Sequence, residues 1–147
     1  TLTASTCPIP QPFAYAKLDD DGTAAASETN VGAGATITQS YSDTDDIIWD
    51  DSNDYFTVKK DGTYELTLRM VLEVAATTVV TLKIKTASTV HNTFAPKINS
   101  AVDPQEATLH AVFTAAANDN ISCTHQDDAA TNVNAGAGTT MIIKRLL

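Results

Sequence analysis

Three histidines, two cysteines and a dense set of aspartates are the side chains through which this 147-residue chain could do chemistry. His91, His110 and His125 do not fall in a zinc-type spacing such as His-Glu-x-x-His, and neither a Gly-x-Ser-x-Gly elbow nor a phosphate-binding loop occurs. Cys7 and Cys123 are too few and too far apart for a disulfide framework or a metal knuckle. Cys123 is expected to point into the core beside Ile121, with a Cys7–Cys123 bridge as the less favoured alternative. His110 falls with Thr108 and Val112 on the face opposite Leu109 and Phe113, so a place at the surface or an interface is expected rather than a catalytic one. Carboxylate pairs abound, but acid–base catalysis needs two of them fixed in one pocket with separated pKa values. The expectation is a protein that is not an enzyme and uses no cofactor.

Calcium is the one metal the aspartates could serve. Counting Gly22 as the sixth position of a calcium loop puts Asp19 and Asp21 at the third and fifth and Glu28 at the twelfth, but Lys17 occupies the first ligand position and no helix flanks the stretch. Asp43, Asp45 and Asp46, then Asp50, Asp51 and Asp54, and finally Asp127 and Asp128 form further acidic groups whose loops could meet around an ion. A solvated acidic surface explains the same residues more simply. Metal is therefore expected to be dispensable, with Asp19, Asp21, Asp43, Asp45 and Asp46 the first positions to test. Asn120-Ile121-Ser122 matches a glycosylation sequon but sits inside a predicted strand.

The elements that must carry these residues are short strands. Tyr64, Leu66, Leu68, Met70, Leu72 and Val74 alternate with Glu65, Thr67, Arg69 and Glu73, the pattern of a strand covered on one face only. Lys60-Asp61-Gly62 supplies the turn before it, through glycine's tolerance of positive φ and aspartate's bonding to its own backbone. Ala35 to Tyr41 alternates and reads as a strand, Thr77 to Thr86 alternates cleanly with Val80, Leu82 and Ile84 inward, Ala107 to Ala115 is a further strand, and Val90 to Ile98 is a weaker one. Ile47-Ile48-Trp49 predicts a brief strand or plug among six aspartates; Leu18 to Gly34 and Gln126 to Gly138 read as loops. Such short strands with polar turns and no long amphipathic helix define an antiparallel β-sandwich.

An aromatic-led strand, a turn closing in Gly62, then Thr63-Tyr64 and a long alternating strand resembles the middle of the jelly rolls of tumour necrosis factor and the complement globular heads. Pro12-Phe13-Ala14-Tyr15-Ala16 is similar to the family's opening strand, and Gly136 to Leu146 to the strand that closes beside it. Asn118-Asp119-Asn120 stands where the family has a polar turn before its penultimate strand. The resemblance covers the chain from about Pro12 onward and extends to bacteriophage particle proteins of this fold. It implies an all-β, antiparallel jelly-roll sandwich assembled as a homotrimer, with Phe13, Tyr15, Met141 and Ile143 in the core or the trimer interface.

Length fits a single domain, residues 12–147, preceded by an extended arm, residues 1–11, that contains no charged side chain. A composition of 23 Thr and 22 Ala predicts thin strand packing and close contact between sheets or subunits. The net charge of −9 opposes binding to nucleic acid, which needs a basic patch, and the apolar runs are too short to span a bilayer. Thr1 is read as the start left by removal of an initiator Met or of a longer leader. The function expected is a structural protein of a virus particle, on the capsid exterior: a bacteriophage capsid decoration (cement) or head-fibre protein bound to the major capsid protein or other virion proteins. In that reading Leu2, Cys7, Pro8, Ile9 and Pro10 of the arm anchor it. The alternative is a host-facing or ligand-recognition module, a fibre tip or complement-like head, with Trp49 exposed to a ligand.

Overall fold

The structure, a computed structural model, describes residues 11–99, 104–128 and 133–147. The arm residues Leu2, Cys7, Pro8, Ile9 and Pro10 lie outside them, as does any Cys7–Cys123 pairing.

The alternating segments become two antiparallel sheets face to face. The first contains β1 (Phe13–Lys17), β3 (Gln39–Tyr41), β6 (Gly62–Val74), β10 (Gln105–Ala115), β12 (Val133–Ala135) and β13 (Thr140–Arg145), in the order β10-β6-β13-β1-β3 with β12 also on β6. The second contains β2 (Thr29–Asn30), β4 (Ile47–Asp50), β5 (Tyr55–Val58), β7 (Thr78–Thr86), β8 (Thr89–Phe94), β9 (Lys97–Ile98) and β11 (Asn120–Asp127), in the order β4-β5-β11-β7-β8 with β2 on β11 and β9 on β7. The closing strand β13 pairs along the whole of β1, and no helix occurs among the described residues. This is an all-β, antiparallel jelly-roll sandwich.

Both inner faces follow the two-residue period. Tyr64, Leu66, Leu68, Met70 and Leu72 are fully buried on β6, as are Val80, Leu82 and Ile84 on β7. Cys123 is buried beside Ile121 on β11, and burial pushes its thiol well above the usual range, which leaves it an unreactive core residue. Thin packing is localised: β1 contributes only Ala14 and Ala16 to the inner face and lies across from β4, which contributes Ile47 and Trp49. Small residues on one strand accommodate large ones on the other.

Three expectations change in detail. Within Ala35 to Tyr41 only Gln39–Tyr41 is a strand. Asp20 accepts from the Thr36 amide and hydroxyl, and Asp19 from those of Thr38, so side chains take the donors that a ladder would have used. Gly62 does not have positive φ, which among the described glycines belongs to Gly34 and Gly138; a Cβ at Gly62 would lie 2.3 Å from the Leu147 carbonyl oxygen. Its role is close approach, because Thr63 N–H donates to that same oxygen at 3.0 Å. Finally, residues 18–38 are knitted to both sheets. Leu18 and Gly22 N–H donate to Thr139 and Ala135 of the first sheet's side, Val31 N–H donates to Cys123 of β11, and Asp127 N–H donates back to Ala25.

Candidate interaction surface

The outer face of the first sheet is the surface on which the outward residues of five strands meet. Register places Tyr41 opposite Tyr15, Tyr15 opposite Ile142, Ile142 opposite Thr67, and Thr67 opposite His110, so one row crosses β3, β1, β13, β6 and β10. The next row runs Phe13, Lys144, Glu65, Val112. At the β3/β1/β13 end the surface is apolar: Phe13, Tyr41 and Ile142 are 41%, 45% and 41% exposed. The Phe13 and Tyr41 rings stack with centroids 4.8 Å apart, and Tyr15 stacks on Tyr41 at 6.4 Å. Towards β10 the face turns polar, with His110 Nε2 3.8 Å from Glu65 Oε1 and an Arg69–Glu106 ion pair.

The β10 end of this face adjoins β8, and along these two edge strands further apolar side chains are exposed. Val90, Phe94 and Val112 are 44%, 43% and 54% exposed. The seam is held by Asn92 Nδ2–H donating to the His110 carbonyl at 2.7 Å and by the His91 ring stacked 4.3 Å over Phe113. Burial lowers the pKa of His91, whose Nε2 lies 2.7 Å from Thr86 Oγ1.

Sequence-predicted positions divide between these surfaces and the interior. Phe13 and Tyr15 sit on the outer face. Met141 and Ile143 are 1% and 0% exposed and belong to the sandwich core, whereas the outward residue of that strand is Ile142 between them. Trp49 is corrected: it is 7% exposed on the inner face of β4, with its ring 4.9 Å from Phe56 and its indole N–H donating to Asp51. Alternation along Ile47-Ile48-Trp49 puts the first and third side chains inward, which removes Trp49 as a surface contact in this chain. His110 is exposed, and Asn120 of the sequon lies on β11 with its side-chain oxygen accepting from Thr57.

Four of the five calcium candidates, Asp19, Asp21, Asp43 and Asp46, make hydrogen bonds or ion pairs within the fold. Asp19 is held below the usual carboxylate range by its bonds from Thr38, and Asp21 accepts from the Ala137 amide at 3.0 Å. Asp43 accepts from the Asp45 amide, and Asp45 is exposed. Asp46, 7% exposed, lies 3.2 Å from both Lys60 Nζ and Arg145 Nη1, tying β4 to the turn before β6 and to the end of β13. Among the described residues no three metal-ligating side chains converge.

Strand order and sheet packing thus define a tumour necrosis factor-like jelly roll whose open surface is a partly apolar sheet face. No family model matches the chain, and no curated protein matches it by sequence. Solved structures do match in fold. The PRD1 vertex protein P5 superimposes with a TM-score of 0.64 at 15% identity, covering 96% of this chain and 100% of that one. Murine APRIL gives 0.64 at 12% identity, covering 93% and 100%. Eiger TNF from S. frugiperda gives 0.62 at 10% identity, covering 95% and 94%.

Proposed function

We propose that this chain is a non-enzymatic structural protein of a bacteriophage particle, a capsid decoration (cement) or head-fibre protein that sits on the shell exterior as a homotrimer. The observation that carries the reading is the stacked Phe13–Tyr41–Tyr15 cluster with Ile142 beside it, open on the outer face of the first sheet. Exposed apolar side chains that pack on one another across three strands favour a protein cover. Val90, Phe94 and Val112 are exposed along the β8/β10 edge, away from β3 and β1, so pairing that edge with the aromatic cluster is a head-to-tail contact, which gives a ring where the rotation closes. Resemblance to tumour necrosis factor-like jelly rolls makes three the expected number, and the likeness to a PRD1 vertex protein favours a particle as the place. Residues 12–147 form the jelly roll in this reading, and the uncharged residues 1–11 reach a capsid partner through Leu2, Cys7, Pro8, Ile9 and Pro10. A net charge of −9 disfavours nucleic acid as the partner.

Light scattering and co-sedimentation with intact particles test it. The expected results are a mass three times that of the chain and retention on particles, with retention lost when Thr1 to Pro10 are deleted. A strict monomer across micromolar concentrations overturns the trimer; wild-type occupancy by the truncated chain overturns the arm as anchor.

A further inference from the structure

His125 is the buried titratable group that no surface or ion pair accounts for. It lies on the inner side of β11, 1% exposed, opposite Leu82 of β7 and Thr29 of β2, and neither ring nitrogen has a hydrogen-bond partner in the protein. The adjacent Thr124, opposite Asn30 of β2, is also buried with its hydroxyl unpartnered. Both orphans sit where the residue 18–38 segment closes over β11. A buried neutral imidazole tolerates such a place, whereas an imidazolium with two N–H donors and a full charge does not.

We propose that His125 is an acid-sensitive seal: while neutral it lets the residue 18–38 segment close on β11, and its protonation releases that segment while the rest of the sandwich stays folded.

The charged groups around it leave His125 as the member whose protonation works against closure. On its own strand, Asp127 is occupied by the Thr78 hydroxyl and Cys123 is a buried neutral thiol. From β7 the inward neighbours Val80, Leu82 and Ile84 carry no charge, while Lys83 and Lys85 are paired to Glu28 of the closing segment. Those two lysines hold Glu28 at a pKa of about 2, so this tether persists in mild acid. Asp54 packs against Gly32 of the segment; burial and its neighbours Asp51 and Asp50 raise its pKa, so acid makes its packing easier. Asp46 pairs with both Lys60 and Arg145, and it bonds through its carbonyl to Lys59 next to Val58, which bonds Asn118 and Asp119 just before β11, at the other end of the strand. Burial alone pushes the pKa of His125 down to about 4 from 6.5. A depressed histidine pKa means that the unfolded or opened state binds the proton better, so closure is complete at neutral pH and weakens as pH falls from 6.5 towards 4.

Hydrogen exchange at the Val31 and Asp127 amides reads the seal, because these donate to Cys123 and Ala25 across the junction. Between pH 7 and pH 5, after correction for intrinsic rates, the wild type is expected to lose about 20-fold in protection at these two amides. The β6–β10 ladder is expected to keep its protection. His125→Leu is expected to lose less than about 3-fold, because the leucine carries no titrating group. Equal losses in wild type and His125→Leu, an unchanged wild type, or a parallel loss in the β6–β10 ladder each overturns the proposal. Should His125→Leu fail to fold, the His125 Cε1–H shift in the wild type decides. Titration below pH 5 together with loss of Val31 protection supports the seal, and titration at the ordinary value with Val31 still protected overturns it.

Discussion

Ile142 lies directly opposite Tyr15 on the outer face of the sheet, while its chain neighbour Met141 lies opposite Ala16 on the inner face. Because a strand alternates with a period of two, these adjacent positions have opposite fates, one 41% exposed and the other 1%. The surface available to a partner is therefore set by Tyr15, Ile142 and Tyr41, and the stability of each sandwich by Ala16, Met141 and Ile143.

Ile142→Lys should leave the sandwich folded and dissociate the proposed homotrimer. Burying an isoleucine contributes about 1.5–3 kcal/mol per subunit, and a lysine forced into the same contact adds a desolvation cost. Far-UV circular dichroism is expected to be unchanged, with light scattering shifting to the mass of one chain. An unchanged oligomer would place the contact elsewhere.

Met141→Ala should do the reverse. Removing a fully buried side chain opposite Leu68 and Ala16 costs about 2–5 kcal/mol. Denaturant melts are expected to show that loss, against less than about 1 kcal/mol for Ile142→Ala measured on monomer. A larger cost for Ile142→Ala than for Met141→Ala would mean that the inward and outward assignments of β13 are exchanged.

The contrast marks how far the sequence was legible. Alternation placed the inner faces of β6, β7 and β10 residue by residue, because each is long enough to average over local exceptions. It also assigned His110, Thr108 and Val112 to one side. Along the opening and closing strands, the pattern singled out Met141 and Ile143 without dividing core from interface, since Ile142 is as apolar as its neighbours. The brief strand at Ile47-Ile48-Trp49 was legible, but the burial of Trp49 was not: the surrounding aspartates made the stretch look solvated, while two inward positions suffice to bury it. The closing segment 18–38 was opaque for another reason: its order comes from Asp19, Asp20 and Asp21 bonding to backbone far along the chain, which leaves no periodicity.

Gly62→Ala should destabilise by about 1–3 kcal/mol, because the added methyl would meet the Leu147 carbonyl oxygen at 2.3 Å and the last residues would have to move. Removing Leu146 and Leu147 costs the bonds these residues make with Thr63, and in that background Gly62→Ala should cost little further. The double-mutant cycle is the measurement: full additivity would show that the glycine serves the turn and not the approach of the C-terminal residues.

Glu28 sets a second pH dependence, of opposite chemical origin to that of His125. Its carboxyl is held at about 2, below the 4.5 of a free glutamate, first by the bond from Lys83 and then by that from Lys85. A folded-state pKa below the unfolded one means that its contribution is present above pH 4.5 and is lost as pH falls from 4.5 to 2. The group is largely solvated, so water and salt screen the pairs and the loss should be about 0.5–1 kcal/mol rather than the full value of the shift. Glu28→Gln should therefore lower stability at pH 7 by that amount and match the wild type near pH 2. The difference should shrink in high salt, because the two lysine pairs are electrostatic and near the surface. Melting curves of the two proteins at pH 7, 4.5 and 2.5 check the sign: a gap that stays the same down to pH 2.5 would mean that Glu28 acts through packing against Lys83 and Lys85 and not through its charge.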